Sequence, residues 1–227
     1  MSLPDDFCVF ILSHGRPGNV RTLSTLRKCG YTGPVRIIVD NEDKTQGEYV
    51  GRYGPNVVVF DKARVVAETD DADNFDDKRS VIYARNACWG IARELGYSYF
   101  LQLDDDYSTF SIRYVEGLSF KQAMIQDLDR IFALCLEYYK AIPALSIALA
   151  QMGDFIGGIE GAFSHSFRRR KCMNSFFCSV ERPFKFVTKL NDDVSTYVLL
   201  GSRGELFLTL SQLALNQAET QANSGGL

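Results

Sequence analysis

An α/β protein with a doubly wound, mostly parallel sheet is the fold class this sequence predicts, and three observations predict it. Short, unbroken apolar runs of strand length recur at Phe7 to Leu12, Val35 to Val39 and Asn56 to Phe60; such runs suit strands covered on both faces. A helical repeat separates the first two, with Val20, Leu23, Leu26 and Cys29 on one face and Gly30 placed to stop it, and strands alternating with helices build parallel βαβ units. A fourth run, inside Tyr97 to Tyr107 (YSYFLQLDDDY), ends abruptly in Asp104, Asp105 and Asp106. The carboxyl ends of strands are where open sheets bind ligands.

At 227 residues the chain has room for one domain with a substantial core, or a domain with a small appendage. With 46% hydrophobic and 23% charged residues its composition is that of an ordinary soluble protein. No apolar run approaches a membrane span, and MSLPDDF lacks the regions of a signal peptide, so a cytoplasmic location is expected. Cys8, Cys29, Cys88, Cys135, Cys172 and Cys178 are scattered without CxxC pairing and read as buried reduced thiols. Basic residues number 25 against 28 acidic ones, so any nucleic-acid contact must be local.

The remaining elements follow in order. Glu68 to Asp77 is acidic and unpatterned, a loop. A helix is expected from about Lys78 to Leu95, with Val81, Ala84, Cys88, Ile91, Ala92 and Leu95 on one face and Gly96 as its stop. Beyond Asp106, Ser119 with Gln122 predicts a capping box for a helix through about Ile142, with an apolar stripe of Met124, Leu128, Ile131, Cys135 and Tyr138. Leu145 to Met152, Ser175 to Val180 and Glu205 to Leu215 read as strands. Val194 to Leu200 reads as a helix, and Gly157, Gly158 and Gly161 as a flexible segment. No internal repeat is visible.

Three adjacent carboxylates at the end of a buried strand disfavour one another's ionisation unless a cation or donors compensate. Asp104 and Asp106 alternate along an extended backbone and are expected to face one side, with Asp105 turned away. Oxygen ligands alone suit Mg²⁺ or Mn²⁺, which also hold substrate phosphates. The plain alternative for such a triplet is an acidic surface turn or a set of helix caps.

The ordered set ILSHGRPGNV, VDNED, DDKRSVIYARN, FLQLDDDY, MNSFF, LNDDVSTYV, RGELFLTL and TQANSGG resembles the TET-associated glycosyltransferase family of bacteriophages over nearly the whole chain. The arrangement of an Ala84-Arg85-Asn86 helix one helix-length before an Asp-x-Asp strand resembles the GT-A fold of nucleotide-sugar glycosyltransferases. The resemblance implies a GT-A-like, Rossmann-type sheet with a smaller acceptor-side β portion: one domain with residues 1–110 as the nucleotide-sugar-binding half and 111–227 as the acceptor-side half. It implies a nucleotide-sugar donor, a UDP-sugar first among them, a divalent metal, and a hydroxymethylated or oxidised pyrimidine in phage DNA as acceptor.

The residues fit that chemistry on physical grounds. Asp106, with Asp104, is the expected metal pair, and Asp104 has the ribose hydroxyls as its alternative. Ser13, His14, Gly15 and Arg16 lie in the first strand-to-helix loop, where backbone donors and a guanidinium can meet a nucleotide. Asp40, closing the second strand, is placed to accept from base or ribose, and Asp105 joins this donor-binding set. Arg85, with Lys78 or Arg79, would neutralise the diphosphate; otherwise His14 caps a turn and Arg85 pairs with the acidic loop. Asp193 is the candidate general base and Asp192 its partner, unless Asn191 or Asp192 simply caps the following helix.

Arg168, Arg169, Arg170 and Lys171, with Arg182, Lys185 and Lys189 downstream, are expected to grip a DNA backbone, or else form a solvated loop. Phe163, His165 and Phe167 stand beside them, near enough in sequence to meet a displaced base. The GT-A enzymes commonly return a C-terminal histidine to the metal, and here only His14 and His165 exist. Either the chain is truncated at its C-terminus or its metal takes fewer protein ligands and more water. Against the DNA-modifying reading stand an acceptor that is a glycan, protein or small molecule, a non-catalytic nucleotide- or DNA-binding relative, and a nucleotidyltransferase.

Overall fold

The computed structural model describes residues 2–70, 80–117, 119–151, 153, 171–189 and 191–217. Strands β1 (Phe7–Leu12), β2 (Val35–Asp40), β3 (Val57–Phe60) and β4 (Tyr99–Asp104) alternate with helices α1 (Arg21–Lys28), α2 (Gln46–Tyr53), α3 (Lys62–Glu68) and α4 (Ile82–Glu94). There follow β5 (Tyr107–Glu116), β6 (Ser119–Met124), α5 (Leu128–Ala141), β7 (Ser146–Gln151), β8 (Ser175–Ser179), α6 (Asp192–Gly201) and β9 (Phe207–Gln217). All nine strands join one sheet in the order β3-β2-β1-β4-β8-β7-β9-β5-β6.

The first four strands are parallel, with β1 between β2 and β4. Leu12 sits opposite Ile38 on one side and Asp104 on the other, so the carboxyl ends of these three strands align and the loops that leave them share one rim. Beyond β4 the sheet is mixed: β8 is antiparallel to β4 and β7, β9 is parallel to β7, and β5 is antiparallel to β9 and β6.

The two-residue period of β1 divides the core between two layers. Phe7, Val9 and Ile11 pack with Leu26, Leu101 and Phe132 beneath α1 and α5. Cys8, Phe10 and Leu12 pack with Trp89, Phe100 and Phe176 beneath α4. Each such side chain, fully withdrawn from water, contributes roughly 1.5–3 kcal/mol before entropy is counted. Gly30 closes α1 at φ +82°, and a Cβ there would meet the Gln126 carbonyl oxygen at 2.1 Å. Only glycine therefore lets the end of α1 dock on the start of α5, where Leu128 N donates to Cys29 O at 3.0 Å. The six cysteines are buried and unbridged. Among the described residues no helix is long and apolar enough to cross a membrane.

The helix expected from Ser119 is corrected. Ser119 to Met124 is strand β6, paired antiparallel with β5 from Glu116↔Ser119 to Ser111↔Met124. The Ser-x-x-Gln spacing imitates a capping box, but the neighbouring strand takes the backbone groups that a cap would serve. The helix begins at Leu128, where the Asp127 carboxylate accepts from Arg130 N at 3.0 Å. Its buried stripe is accordingly shifted: Phe132, Leu136 and Tyr139 are inside, while Tyr138 and Met124, expected in the core, are 46% and 38% exposed. The acidic segment 71–77, Lys78, the three loop glycines and residues 218–227 lie outside the described residues.

Candidate active site

The turn that carries the three aspartates is fixed by hydroxyls of α1. Thr22 Oγ1 donates to Asp104 O at 2.6 Å and accepts from Tyr107 N at 2.9 Å. Thr22 N donates to Asp105 O at 3.0 Å, and Thr25 Oγ1 donates to Tyr107 O at 2.9 Å. A helix of ordinary amphipathic sequence thus carries two buried threonines, whose hydroxyls serve backbone groups at both ends of the β4–β5 turn. Tyr107, fully buried, donates its hydroxyl to Asn174 O at 2.6 Å and ties the same turn to the lead-in of β8.

Asp104 and Asp105 point to different partners. Asp105 is fully buried; it accepts from Ser13 Oγ at 2.5 Å and lies 2.8 Å from Arg16 Nη2. Burial raises its carboxyl to about 6, with Ser13 and Arg16 acting in the opposite direction. Tyr49 of α2 completes this group, sharing a 2.6 Å hydrogen bond with Ser13 Oγ and accepting from Arg16 N at 2.9 Å. Asp105 therefore holds the first loop, while Asp104 turns the other way to Arg85, 3.2 Å from its Oδ1. Asp106 is 5% exposed.

A second carboxylate cluster stands at the end of β2. His14 Nδ1 is 2.7 Å from Asp40 Oδ2 and 3.6 Å from Asp43 Oδ2, and Gly15 N donates to that same Asp43 oxygen at 2.7 Å. The other Asp43 oxygen accepts from Thr45 N and Thr45 Oγ1, each at 2.7 Å. Asp40 Oδ1 accepts from Glu42 N at 3.1 Å and lies 3.7 Å from the Nζ of Lys62, which is itself buried. The Asp40 hydrogen bond raises the imidazole above its ordinary value against the effect of burial. Burial would raise Asp40 and Asp43, but their donors and the neighbouring positive charge bring both below the usual carboxylate range.

The Ala84-Arg85-Asn86 segment of α4 joins the end of β4 to the 183–189 segment and α6. Arg85 is 2% exposed and bridges two carboxylates: Nη2 to Asp104 Oδ1, and Nε to Asp192 Oδ2 at 2.9 Å. The rings of Phe176 and Phe186 lie 5.3 and 5.4 Å from its guanidinium carbon, a shell that removes water and strengthens both ion pairs. Asn86 mimics a strand neighbour, accepting from Phe186 N at 2.8 Å and donating to Phe186 O at 3.0 Å. Val187 N donates to Thr196 Oγ1 at 3.2 Å, which carries the same segment onto α6. Asn191 precedes α6 in the left-handed region at φ 54°, with no side-chain cap. Asp192 is thus held by Arg85, and Asp193, 5% exposed, follows it at the helix start.

Burial raises Asp104 to about 7, with Arg85 opposing and Asp106, Asp192 and Asp105 reinforcing the rise. Burial and the charge of Asp192 raise Asp193 as well.

Of the residues expected to act, Ser13, His14, Gly15, Arg16, Asp40, Arg85, Asp104, Asp105, Asp106, Asp192 and Asp193 lie along this rim or directly beneath it. Arg79, Arg168, Arg169 and Arg170, with Phe163, His165 and Phe167, lie outside the described residues. Lys171 is exposed. Arg182, expected to extend the basic patch, instead donates to Ile142 O, Ala144 O and Tyr139 O at 2.8, 2.7 and 3.1 Å and terminates α5. Lys185 donates to Glu68 O at 2.6 Å, and Lys189 is buried. Asp43, Tyr49, Lys62 and Thr22 were not readable as site residues. Asp43 lies within the quoted VDNED, and only its Asx-turn spacing to Thr45 hints at its place.

The sequence matches the TET-associated glycosyltransferase family over residues 7–226. No curated protein matches it. Among solved structures, the fold is similar to a mannosyltransferase from Pyrobaculum calidifontis in complex with GDP-Man and Mn²⁺, at 12% identity and a TM-score of 0.54, covering 94% of this chain. The chain spans 56% of that mannosyltransferase. It is also similar to mouse xyloside xylosyltransferase 1 in its apo form, at 12% identity and a TM-score of 0.50, over 90% of this chain and 84% of the other. The fold is that of the GT-A glycosyltransferases. With sequence agreement from the first strand to the last residue but one, the chain belongs to the TET-associated glycosyltransferase family.

Proposed function

We propose that this chain transfers a sugar from a nucleotide-sugar donor to the hydroxyl of a hydroxymethylated pyrimidine in phage DNA, with a divalent metal. Residues 1–110 form the donor half in this reading and residues 111–227 the acceptor half. The observation that carries it is the Arg85 bridge, which sets the carboxylate at the end of the donor strand beside the acidic pair that begins α6.

Asp104 and Asp106 fit a hard cation: both are carboxylates at one strand end, and Asp104 is raised in part by the charge of Asp106. Among the described residues no third His, Cys, Asp or Glu completes a metal-binding group, so water and diphosphate oxygens would supply the rest of the shell. Mn²⁺ or Mg²⁺ bound there would stabilise the charge of a departing nucleoside diphosphate.

The protein's own residues do the remaining work. Arg16, anchored by Asp105, places a guanidinium at the opening of α1, where a phosphate is attracted. Asp193 takes the proton from the acceptor hydroxyl, and burial, with the charge of Asp192, raises its basicity above that of an ordinary carboxylate. Asp192 is a positioning residue, locked to Arg85. Arg85 itself acts on the carboxylates, with Nη2 paired to Asp104 and Nε to Asp192.

The DNA acceptor is supported by the family alone. A second reading, with the same donor and a glycan, protein or small-molecule acceptor, draws support from Arg182 and Lys189, which turn inward. Calorimetric titration of the chain with UDP and GDP, with and without Mn²⁺, tests the donor site, and Asp106→Ala is expected to abolish metal-dependent binding. Sugar transfer to hydroxymethylated but not unmodified DNA supports the first acceptor. Transfer only to DNA-free acceptors supports the second, and absence of nucleotide binding overturns both.

A further inference from the structure

The end of β2 is the natural place for a nucleoside: β2 and β4 flank β1, so their carboxyl ends stand about 10 Å apart, two inter-strand spacings. That span suits a nucleotide whose diphosphate lies near Asp106. Asp40 is the obvious group to meet the nucleoside, yet it is already committed. Its Oδ2 is taken by His14 Nδ1 and its Oδ1 by Glu42 N, with Lys62 beside it. Only 10% of its side-chain surface reaches solvent. Asp43 is equally spent on Gly15 and Thr45, with 2% of its side chain exposed. The group these carboxylates present outward is the imidazole of His14, 60% exposed.

We infer that His14 contacts the nucleoside of the donor through Nε2, and that Asp40 and Asp43 are positioning residues for its ring. With Nδ1–H committed to Asp40, Nε2 is the edge left without a partner among the described residues. The charged groups facing the ring are Asp40 and Asp43 from the β2 end and Lys62 from α3, and the two carboxylates favour the imidazolium. Nε2 then donates, and its partner is an oxygen of the nucleoside, on the ribose or on a base carbonyl. The inference rests on the donor-site reading above.

The test is calorimetry with UDP, GDP, ribose 5-phosphate and pyrophosphate, each with Mn²⁺, on wild type, His14→Ala, His14→Gln and Asp40→Asn. His14→Ala is expected to weaken UDP or GDP roughly tenfold and leave pyrophosphate unchanged, the size of one charge-assisted hydrogen bond. His14→Gln, which keeps a donor, restores part of that loss. A matching effect on ribose 5-phosphate assigns the oxygen to the ribose, and an effect confined to the nucleotides assigns it to the base. Wild-type affinity relative to His14→Ala falls as pH rises through the imidazole's range, because deprotonation removes the donor. Asp40→Asn weakens this pH difference. Nucleotide binding that is unchanged in His14→Ala but lost in Asp40→Asn overturns the inference alone. Wild-type binding of pyrophosphate without UDP or GDP also overturns it, and no binding of any probe removes the donor site and the inference together.

Discussion

Arg85 Nε lies 2.9 Å from Asp192 Oδ2, and the same guanidinium reaches Asp104 Oδ1 at 3.2 Å. One buried side chain of α4 thereby fixes the distance between the end of β4 and the start of α6, two elements separated by more than eighty residues of sequence. In the proposed function the reacting groups come from both, and that cation sets the geometry between them.

Arg85→Ala leaves the Asp104 and Asp192 carboxylates without the cation between them. Removing one partner of a buried ion pair destabilises by about 3–5 kcal/mol, and urea unfolding is expected to show a loss in that range. Arg85→Lys keeps the charge without the fork. It should recover part of the stability and little transfer activity. A loss below about 1 kcal/mol in Arg85→Ala would assign the pairs to a solvent-screened surface regime.

Asn86→Ala removes both hydrogen bonds to the backbone of Phe186, a fully buried residue. Each buried backbone group left unsatisfied costs about 1–3 kcal/mol. The 183–189 segment also carries Thr196 of α6, so activity should fall with stability. Asn86→Asp tests orientation: it can still accept from Phe186 N but cannot donate to Phe186 O. An effect near that of Asn86→Ala is expected.

The sequence shows most of the first half because continuous apolar runs and a terminal Asp-Asp-Asp have few other physical solutions. The β5–β6 hairpin escaped detection because Ser119 and Gln122 carry the spacing of a capping box, while their true partners, Glu116 and Arg113 among them, are set by a register no local pattern encodes. Lys62 and Tyr49 reach the candidate site only because parallel pairing brings α2 and α3 beside the β1 and β2 loops. Their helices are short, and nothing in their periodicity marks the residue that turns inward. Arg182 reads as a surface cation until the carbonyls of Ile142 and Ala144, forty residues earlier, are seen to end a helix beneath it.

Asp193→Asn keeps an oxygen to accept from Val194 N, now at 2.7 Å from Oδ1, and removes the base. Transfer is expected to fall by about 10²–10⁴-fold while UDP or GDP affinity with Mn²⁺ is unchanged, the signature of a group used only when the acceptor reacts. Equal loss of nucleotide affinity would instead place Asp193 in the donor site.

Stability should depend on pH in the sense opposite to ordinary acid unfolding. Asp104 is raised to about 7 and Asp105 to about 6, both chiefly by burial, so the folded chain holds protons that the unfolded chain has already released. The unfolding free energy of the metal-free chain therefore falls as pH rises from about 4 to about 7, the interval in which the unfolded chain has released these protons and the folded chain still holds them. Asp40 and Asp43, held below their usual range, act the other way, and only as pH drops through the ordinary carboxylate range and below. Asp104→Asn removes an ionisation and should flatten the upper slope. Mn²⁺ should flatten it too, because a cation favours the ionised carboxylates and stabilises the folded chain most where they are charged. Chemical denaturation across this range, with chelator and with Mn²⁺, measures all three slopes. A metal-free chain that gains stability between about pH 4 and about pH 7, with Asp104→Asn indistinguishable from wild type, would mean that Asp104 is ionised and compensated by Arg85 alone.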